Sequence, residues 1–261
     1  MVNLTGEQHV LVSGAGSGIG RAVALRLAVG GARLCLIGRR TAALRETAAM
    51  AERAGASRVI ARSADIRDAR ALARALDAAV REHGEFHGVV ANSGIGGANE
   101  PGAKDRFEEI VTTNLVGTYN TLRAGVQRLA PNHGEPRYLV VISSILARIG
   151  VAGYTGYCAS KAGLLGLVRS LALELAPRNI YVNSVCPGWV DTDMAQEGIA
   201  GMAASLGISK EEAYVQAMAN VPLGRMSQPE DVAGLVAWLL SREARGVTGQ
   251  ALDMNNGAWM G

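Results

Sequence analysis

Short runs of apolar and β-branched residues recur along the chain, separated by longer stretches in which apolar positions return every three or four residues. The short runs predict strands at 9–13, 33–37, 58–61, 88–92, 137–142, 181–185 and 251–254. Between them the helical period predicts amphipathic helices at 19–29, 42–54, 69–82, 107–129 and 157–176. The last stops before Pro177, which has no amide hydrogen to continue a helix and clashes with the preceding turn. Strands separated by helices imply right-handed βαβ units, hence an α/β fold with a doubly wound parallel sheet of about seven strands and helices on both faces. No linker or low-complexity segment divides the 261 residues, so residues 1–261 read as one domain. Residues 193–225 interrupt the alternation and are rich in Ala, Met and Gly. They read as a lid over a substrate, the alternative being a long connection.

Composition narrows the function classes. About half the residues are hydrophobic, enough for a sizeable core, and the net charge is only +3 without any segment that concentrates it. Nucleic acid is therefore not expected as a partner, because a basic stripe is the minimum signal for one. No uninterrupted apolar stretch reaches about 18 residues, so no membrane span is expected. Residues 1–11 lack the basic region and apolar run of a signal peptide. The three cysteines, Cys35, Cys158 and Cys186, share no metal-ligand spacing and suit a reducing cytoplasm. None of the four histidines, His9, His83, His87 and His133, falls within a motif, and all read as structural or surface residues.

The first strand runs into Ser13-Gly14-Ala15-Gly16-Ser17-Gly18-Ile19-Gly20, and a helix follows. Glycines there allow a tight turn and a close approach of backbone to a pyrophosphate, which the positive helix start attracts. Placed between the first strand and first helix of a βαβ chain, the turn points to a Rossmann-type dinucleotide site. The second strand then supplies the reader of the adenosine ribose. An acidic residue would bind the 2′-hydroxyl, whereas arginine accommodates a 2′-phosphate. The chain offers Gly38-Arg39-Arg40 and no carboxylate before Glu46, which favours NADP(H) over NAD(H). The alternative is that Arg39 or Arg40 is a solvated charge.

Candidate chemistry lies near Tyr157-Cys158-Ala159-Ser160-Lys161, with Ser143 and Ser144 just upstream. On a helix, residues four apart share a face, which sets an ammonium beside a phenol. An undisturbed phenol titrates near pH ~10, and a neighbouring cation is expected to lower that value and make it a usable acid or base. Lys104, Lys161 and Lys210 are the only lysines in the chain, so the pairing is not crowded by other candidates.

Together these features resemble the short-chain dehydrogenase/reductase family over essentially the whole chain. The Ser13-Gly14-x-x-x-Gly18-Ile19-Gly20 turn is similar to the family's TGxxxGxG, with Ser for Thr. Ala91-Asn92-Ser93-Gly94 is similar to its NNAG, and Asn114 falls at its mid-helix asparagine. Ser144 stands thirteen before Tyr157, and Pro187-Gly188-Trp189-Val190-Asp191-Thr192 fits its PGxxxT. Asp65-Ile66 fits the pair that flanks the adenine. His87 departs from the family's frequent Asp, which puts local packing in question.

The resemblance implies hydride transfer between a nicotinamide and a carbonyl carbon or secondary alcohol, without a metal. Tyr157 would donate the proton, Ser144 would orient the oxygen and Lys161 would hold the nicotinamide ribose and lower the Tyr157 pKa. Asn114, through a held water, would link Lys161 to solvent, unless it is only structural. The cofactor set it implies is Ser13, Gly14, Ser17, Gly18, Ile19, Gly20, Arg39, Asp65, Ile66, Asn92, Gly94, Tyr157, Lys161, Pro187, Gly188, Val190 and Thr192. Thr192 would bond the carboxamide, the alternative being a helix cap. Adjacent serines on a strand face opposite ways, so Ser143 or Ser144 is structural, and spacing favours Ser144 as the active one.

The lid supplies Met194, Ile199, Met202, Leu206 and Met218, an apolar lining that suits an acyl or polycyclic ketone better than a small carboxylate. Arg148 faces the substrate or is a solvated charge. Likeness to 3-oxoacyl and polyketide ketoreductases implies an acyl carrier protein as a partner. Arg178 matches one carrier-docking position, while Glu135 stands where another arginine is usual. A homotetramer or dimer is also implied, with Leu252, Trp259 and Met260 suited to an apolar contact. The competing readings are an NAD-dependent secondary-alcohol dehydrogenase of the hydroxy-acid or sugar-alcohol type and a non-catalytic cofactor-binding regulatory protein.

Overall fold

A computed structural model describes residues 8–99, 101–131 and 133–261 of the chain, so residues 1–7 of the stretch read for a leader fall outside it. In chain order the elements are β1 (His9–Ser13), α1 (Gly18–Val29), β2 (Arg33–Gly38), α2 (Thr41–Ala54), β3 (Arg58–Ser63), α3 (Ala69–His83) and β4 (Gly88–Ala91). There follow α4 (Phe107–Val111), α5 (Gly117–Val126), β5 (Arg137–Ile142), α6 (Thr155–Leu175), β6 (Ile180–Pro187), α7 (Asp193–Leu206), α8 (Lys210–Met218), α9 (Pro229–Leu239) and β7 (Ala251–Met254). The seven strands form one parallel sheet in the order β3-β2-β1-β4-β5-β6-β7. The expected architecture is present.

Strand alternation sorts the core. Val10 and Val12 of β1 join the layer built with α1, α2 and α9, whereas Leu11 between them joins the layer built with α3, α5 and α6. Both layers are apolar, as a sheet covered on two faces requires. Helix ends follow local chemistry. Asp68 accepts from the amides of Arg70 and Ala71 at the start of α3, and Gly55 ends α2 in the left-handed region. Pro229 opens α9, where a missing amide hydrogen costs nothing.

Two expectations are corrected. The continuous helix at 107–129 is broken by a π-helical turn, Thr112–Val116, between α4 and α5. The segment read as a lid is a helix pair, α7 and α8, with its own small core of Ala195, Ile199, Ala203, Ala213, Met218, Val221 and Met226. Ile199 and Met218 are therefore packed inside it, with Met202 against them, while Met194 and Leu206 stay exposed.

The order of strands puts a switch point between β1 and β4, since β2 and β3 lie on one side of β1 and the later strands on the other. Loops leaving the carboxyl ends of β1 and β4 diverge there and leave a crevice, the usual ligand position of an open α/β sheet.

Candidate active site

At the end of β1, Ser13 is fully buried and its hydroxyl accepts from the amides of Asn92 and Ser93, at 3.1 and 3.2 Å. Asn92 Nδ2 in turn donates to the carbonyls of Ser13 and Gly14, at 3.1 and 3.3 Å. The side chains of Ser13 and Asn92 thus tie the ends of β1 and β4 together and shape the turn. Gly14 has φ +67°, and a Cβ there would stand 2.7 Å from Asn92 Nδ2. A Cβ on Gly20 would overlap the Gly14 carbonyl oxygen. Bare backbone is a packing requirement at both positions.

The start of α1 has no side-chain cap. Ser17 Oγ accepts instead from Arg40 Nη2 at 2.8 Å, and Arg39 beside it is exposed, its carbonyl accepting from Ser63 Oγ. An uncapped helix start behind a bare glycine turn, with the Arg40 guanidinium held beside it, fits the pyrophosphate of a dinucleotide. Gly14, Ser17, Gly18, Ile19, Gly20, Arg39 and Arg40 would line that end. Arg40 adds to the sequence reading, which rested on Arg39.

Asp65 and Ile66, expected to flank an adenine, lie between β3 and α3. The Asp65 carboxylate is held by Arg67, through the Arg67 amide at 2.9 Å and a two-pronged ion pair closing to 2.7 Å. Those bonds keep its pKa below the usual carboxylate value, and Arg39 contributes in the same direction. Its negative charge is therefore balanced by Arg67. The Ile66 side chain is buried against Gly117, and its carbonyl accepts from Asn120 Nδ2.

The reacting end gathers on α6 and β5. Lys161 Nζ lies 5.6 Å from the centre of the Tyr157 ring, so the pair shares a helix face. Lys161 is buried and donates to the carbonyl of Ile142 at 2.9 Å. Ser143 and Ser144 do part company. Ser143 Oγ donates to the Lys161 main-chain oxygen, while Ser144 Oγ accepts from Leu146 N and stands in hydrogen-bond contact with the Tyr157 hydroxyl.

Burial, not the ammonium, dominates the Tyr157 titration: desolvation pushes the phenol up to about 12, and the Ser144 contact pulls it partly back. Lys161 is itself desolvated, which brings its pKa down to about 8. The expected lowering of Tyr157 by its neighbour is thus reversed, because both groups leave water together. A phenol that stays protonated at neutral pH is equipped to donate, as reduction requires.

Asn114 lies in the π-helical turn, wholly buried. Its Oδ1 accepts from Ile95 N at 2.8 Å, and its Nδ2 donates to Ile95 O and Ser160 Oγ at 3.0 and 3.2 Å. A Cβ on Gly94 would stand 3.1 Å from Asn114 Oδ1 and 3.7 Å from Lys161 Nζ, so Gly94 separates the two. The extra residue of a π turn re-aims side chains, and such turns concentrate at functional sites.

Pro187 ends β6, and Gly188 is closed over by Asn255. Val190 pairs with Ser227 and is buried. Thr192 proves to be the cap of α7: its hydroxyl donates to Val190 O and accepts from Ala195 N at 3.4 Å. Its methyl stands against Gly18, so α7 starts on the glycine turn. Arg148 is partly exposed and held within the chain. It pairs with Asp253, donates to Ala251 O and lies 5.1 Å over the Trp259 ring. Leu252 packs on the core, whereas Met260 is exposed. His87 answers the question raised by its departure from Asp, since its Nδ1 accepts from the His9 amide. A recess of about 450 Å³ between α1, α2 and α9, lined by Leu25, Val29 and Met50, contains none of the site residues.

Comparison with known proteins agrees with this geometry. A family model described as enoyl-(acyl carrier protein) reductase matches residues 14–258. The monensin polyketide synthase putative ketoacyl reductase of Streptomyces virginiae is 35% identical over 249 residues, covering 95% of each chain. The crystal structure of a variant actinorhodin polyketide ketoreductase with NADPH superposes with a TM-score of 0.91 at 34% identity, covering 96% of this chain and 97% of that one. Carveol dehydrogenase from Mycobacterium avium, in complex with NAD, superposes equally well, with a TM-score of 0.91 at 28% identity over 99% of both chains. The chain belongs to the short-chain dehydrogenase/reductase family. It is an oxidoreductase that acts on carbonyl and alcohol groups.

Proposed function

We propose that this protein reduces a ketone with NADPH, the substrate being a 3-oxoacyl or polyketide-like carbonyl compound. One observation carries the reading: Tyr157 beside Ser144, its phenol held protonated by burial, with Lys161 on the same helix face, in a chain whose glycine turn carries Arg40 on Ser17. When bound, the nicotinamide supplies the hydride. As negative charge grows on the substrate oxygen, Ser144 Oγ–H hydrogen-bonds it and Tyr157 transfers its proton to it. Lys161 would hold the nicotinamide ribose.

The relatives' names support the acyl or polyketide substrate, and the exposed Met194 and Leu206 give the lid an apolar border for one. An acyl carrier protein is a compatible partner. Arg178 is exposed, and Glu135 is paired with Arg242 at 2.5 Å, so its charge does not stand alone against an acidic carrier. Assembly into a tetramer or dimer and a cytoplasmic setting belong to the same proposal. Among the described residues no helix is long and apolar enough to cross a membrane. The NAD complex of carveol dehydrogenase favours a second reading, an NAD-dependent secondary-alcohol dehydrogenase.

A panel of 3-oxoacyl thioesters, polycyclic ketones and terpenoid alcohols, each run with NADPH and NADH, decides between them. Turnover of a 3-oxo compound with NADPH supports the proposal, and oxidation of a secondary alcohol with NAD alone overturns it. Tyr157→Phe is expected to bind NADPH yet lose turnover; retained turnover removes Tyr157 as proton donor.

A further inference from the structure

Asn99, in the loop that leaves β4, is nearly completely buried, and its side chain makes four hydrogen bonds. Its Oδ1 accepts from the Gly156 amide at 2.8 Å and from Thr155 Oγ at 3.2 Å. Its Nδ2 donates to Thr155 Oγ at 2.9 Å and to Asp105 Oδ1 at 3.2 Å. The Asn99 amide also donates to Gly153 O at 2.8 Å. Asn99 therefore grips the chain on both sides of Tyr154, across 57 residues of sequence, at the place where α6 begins.

That helix start needs an outside partner. The first amides of a helix have no partner within it, and Tyr154, in the cap position of α6, makes no side-chain cap. Gly156 is buried against Phe107 of α4, so water does not reach its amide from that side. Asn99 Oδ1 supplies the missing acceptor. Asp105 extends the same link, because its Oδ1 also accepts from Phe107 N at the start of α4. A Cβ on Gly156 would stand 3.2 Å from Phe107 Cα and 3.4 Å from Asn99 Oδ1, so the three elements meet without slack.

Tyr157 is the residue after Gly156. We infer that Asn99 is a positioning residue for the proton donor: it caps the catalytic helix from another element and thereby fixes where the Tyr157 hydroxyl stands against Ser144. This rests on the reading of Tyr157 as the donor. Without Asn99 a buried amide loses its acceptor, and the first turn of α6 must shift or fray to rehydrate it. The phenol moves with that turn, while the glycine turn on α1 keeps its own support from Ser13 and Asn92. The cost then falls on kcat rather than on cofactor binding.

The experiment compares Asn99→Ala, Asn99→Asp and the exchanged pair Asn99→Asp/Asp105→Asn with wild type and Tyr157→Phe. The readouts are kcat, KM for the ketone, NADPH affinity by fluorescence, and Tm. Asn99→Ala is expected to lower kcat about ten- to a hundredfold with NADPH affinity within about twofold of wild type, since small misplacements of a reacting group carry costs of that order. Asn99→Asp sets two carboxylates against one another across a 3.2 Å contact and should be at least as impaired. The exchanged pair restores a donor facing an acceptor and keeps an acceptor for Gly156, but removes the oxygen that also accepts from Phe107 N, so its kcat should recover part of the loss.

A wild-type kcat in Asn99→Ala overturns the inference. So does a kcat loss that follows the loss of NADPH affinity and Tm and is not recovered by the exchanged pair, which marks Asn99 as structural only. If Asn99→Ala does not fold, the comparison of Asn99→Asp with the exchanged pair decides. An inactive Tyr157→Phe beside an unimpaired Asn99→Ala sinks the role of Asn99 alone; an active Tyr157→Phe sinks the donor assignment and this inference together.

Discussion

The hydroxyl of Ser143 donates to the main-chain oxygen of Lys161 at 2.9 Å, and both residues are buried. That bond makes Ser143 a support of α6, while its neighbour Ser144 turns to Tyr157. Strand geometry sends the two side chains apart, so two adjacent identical residues take different tasks. Ser144→Ala removes a donor aimed at the developing oxyanion and is expected to lower kcat by about a hundredfold or more. Ser143→Ala removes a neutral buried hydrogen bond, worth about 1 kcal/mol, so it should lower Tm and spare most of kcat. Steady-state kinetics and thermal melts of the two variants test the assignment. A reversed order, with Ser143→Ala the more impaired in kcat, would sink it.

Arg39 and Arg40 differ in what they hold. Arg40 is anchored on Ser17 at 2.8 Å, which places its guanidinium over the glycine turn, whereas Arg39 stands exposed beyond the end of β2. Hydrogen bonds from a charged group contribute about 1.5–3 kcal/mol, so losing either arginine should weaken NADPH binding about tenfold or more and leave NADH nearly unchanged. Arg39→Asp should go further and invert the preference, because a carboxylate repels the 2′-phosphate and accepts from the 2′-hydroxyl. Titrations of NADPH and NADH with Arg40→Ala, Arg39→Ala and Arg39→Asp provide the measurement. Equal losses for both cofactors would remove the arginines from the phosphate and return them to general surface charge.

Much of the frame was legible because its signals are local. Apolar runs of four to eight residues at 9–13, 137–142 and 251–254 match β1, β5 and β7 residue for residue. The Tyr157–Lys161 pairing followed from helical period alone, and it is present. What escaped depends on contacts across long stretches of chain. The π-helical turn at Asn114 leaves the apolar period nearly intact, so a continuous helix was the natural reading. The cap that Thr192 makes on α7 was the alternative read for it, since a hydroxyl that precedes a helix is drawn to cap it. Asn99 carries no local signal, since its partner amide lies 57 residues further on. The direction of the Tyr157 shift was misjudged for a related reason: sequence shows the neighbouring charge, whereas burial is a property of the folded chain. The start of α9, Pro229-Glu230-Asp231, was readable and went unread.

His9 offers an acid-stability measurement far from the chemistry. It is fully buried at the start of β1; its Nδ1–H donates to Gly84 O at 2.8 Å, and Nε2 has no partner. Its ring packs on Phe86 and His83. Burial lowers its pKa from 6.5 to about 4, and nearby Arg33, His83 and His87 act in the same direction. The unfolded chain therefore binds a proton at higher pH than the folded one does. The stabilisation is complete above about pH 6.5 and is lost as the pH falls toward 4. Between pH 7 and 5 this one group should remove about 2 kcal/mol of stability, before most carboxylates begin to titrate. Denaturant midpoints measured from pH 7 to 5 should decline for wild type and decline less steeply for His9→Leu, whatever the absolute stability of that variant. Parallel slopes for the two proteins would show that His9 titrates alike in the folded and unfolded chains.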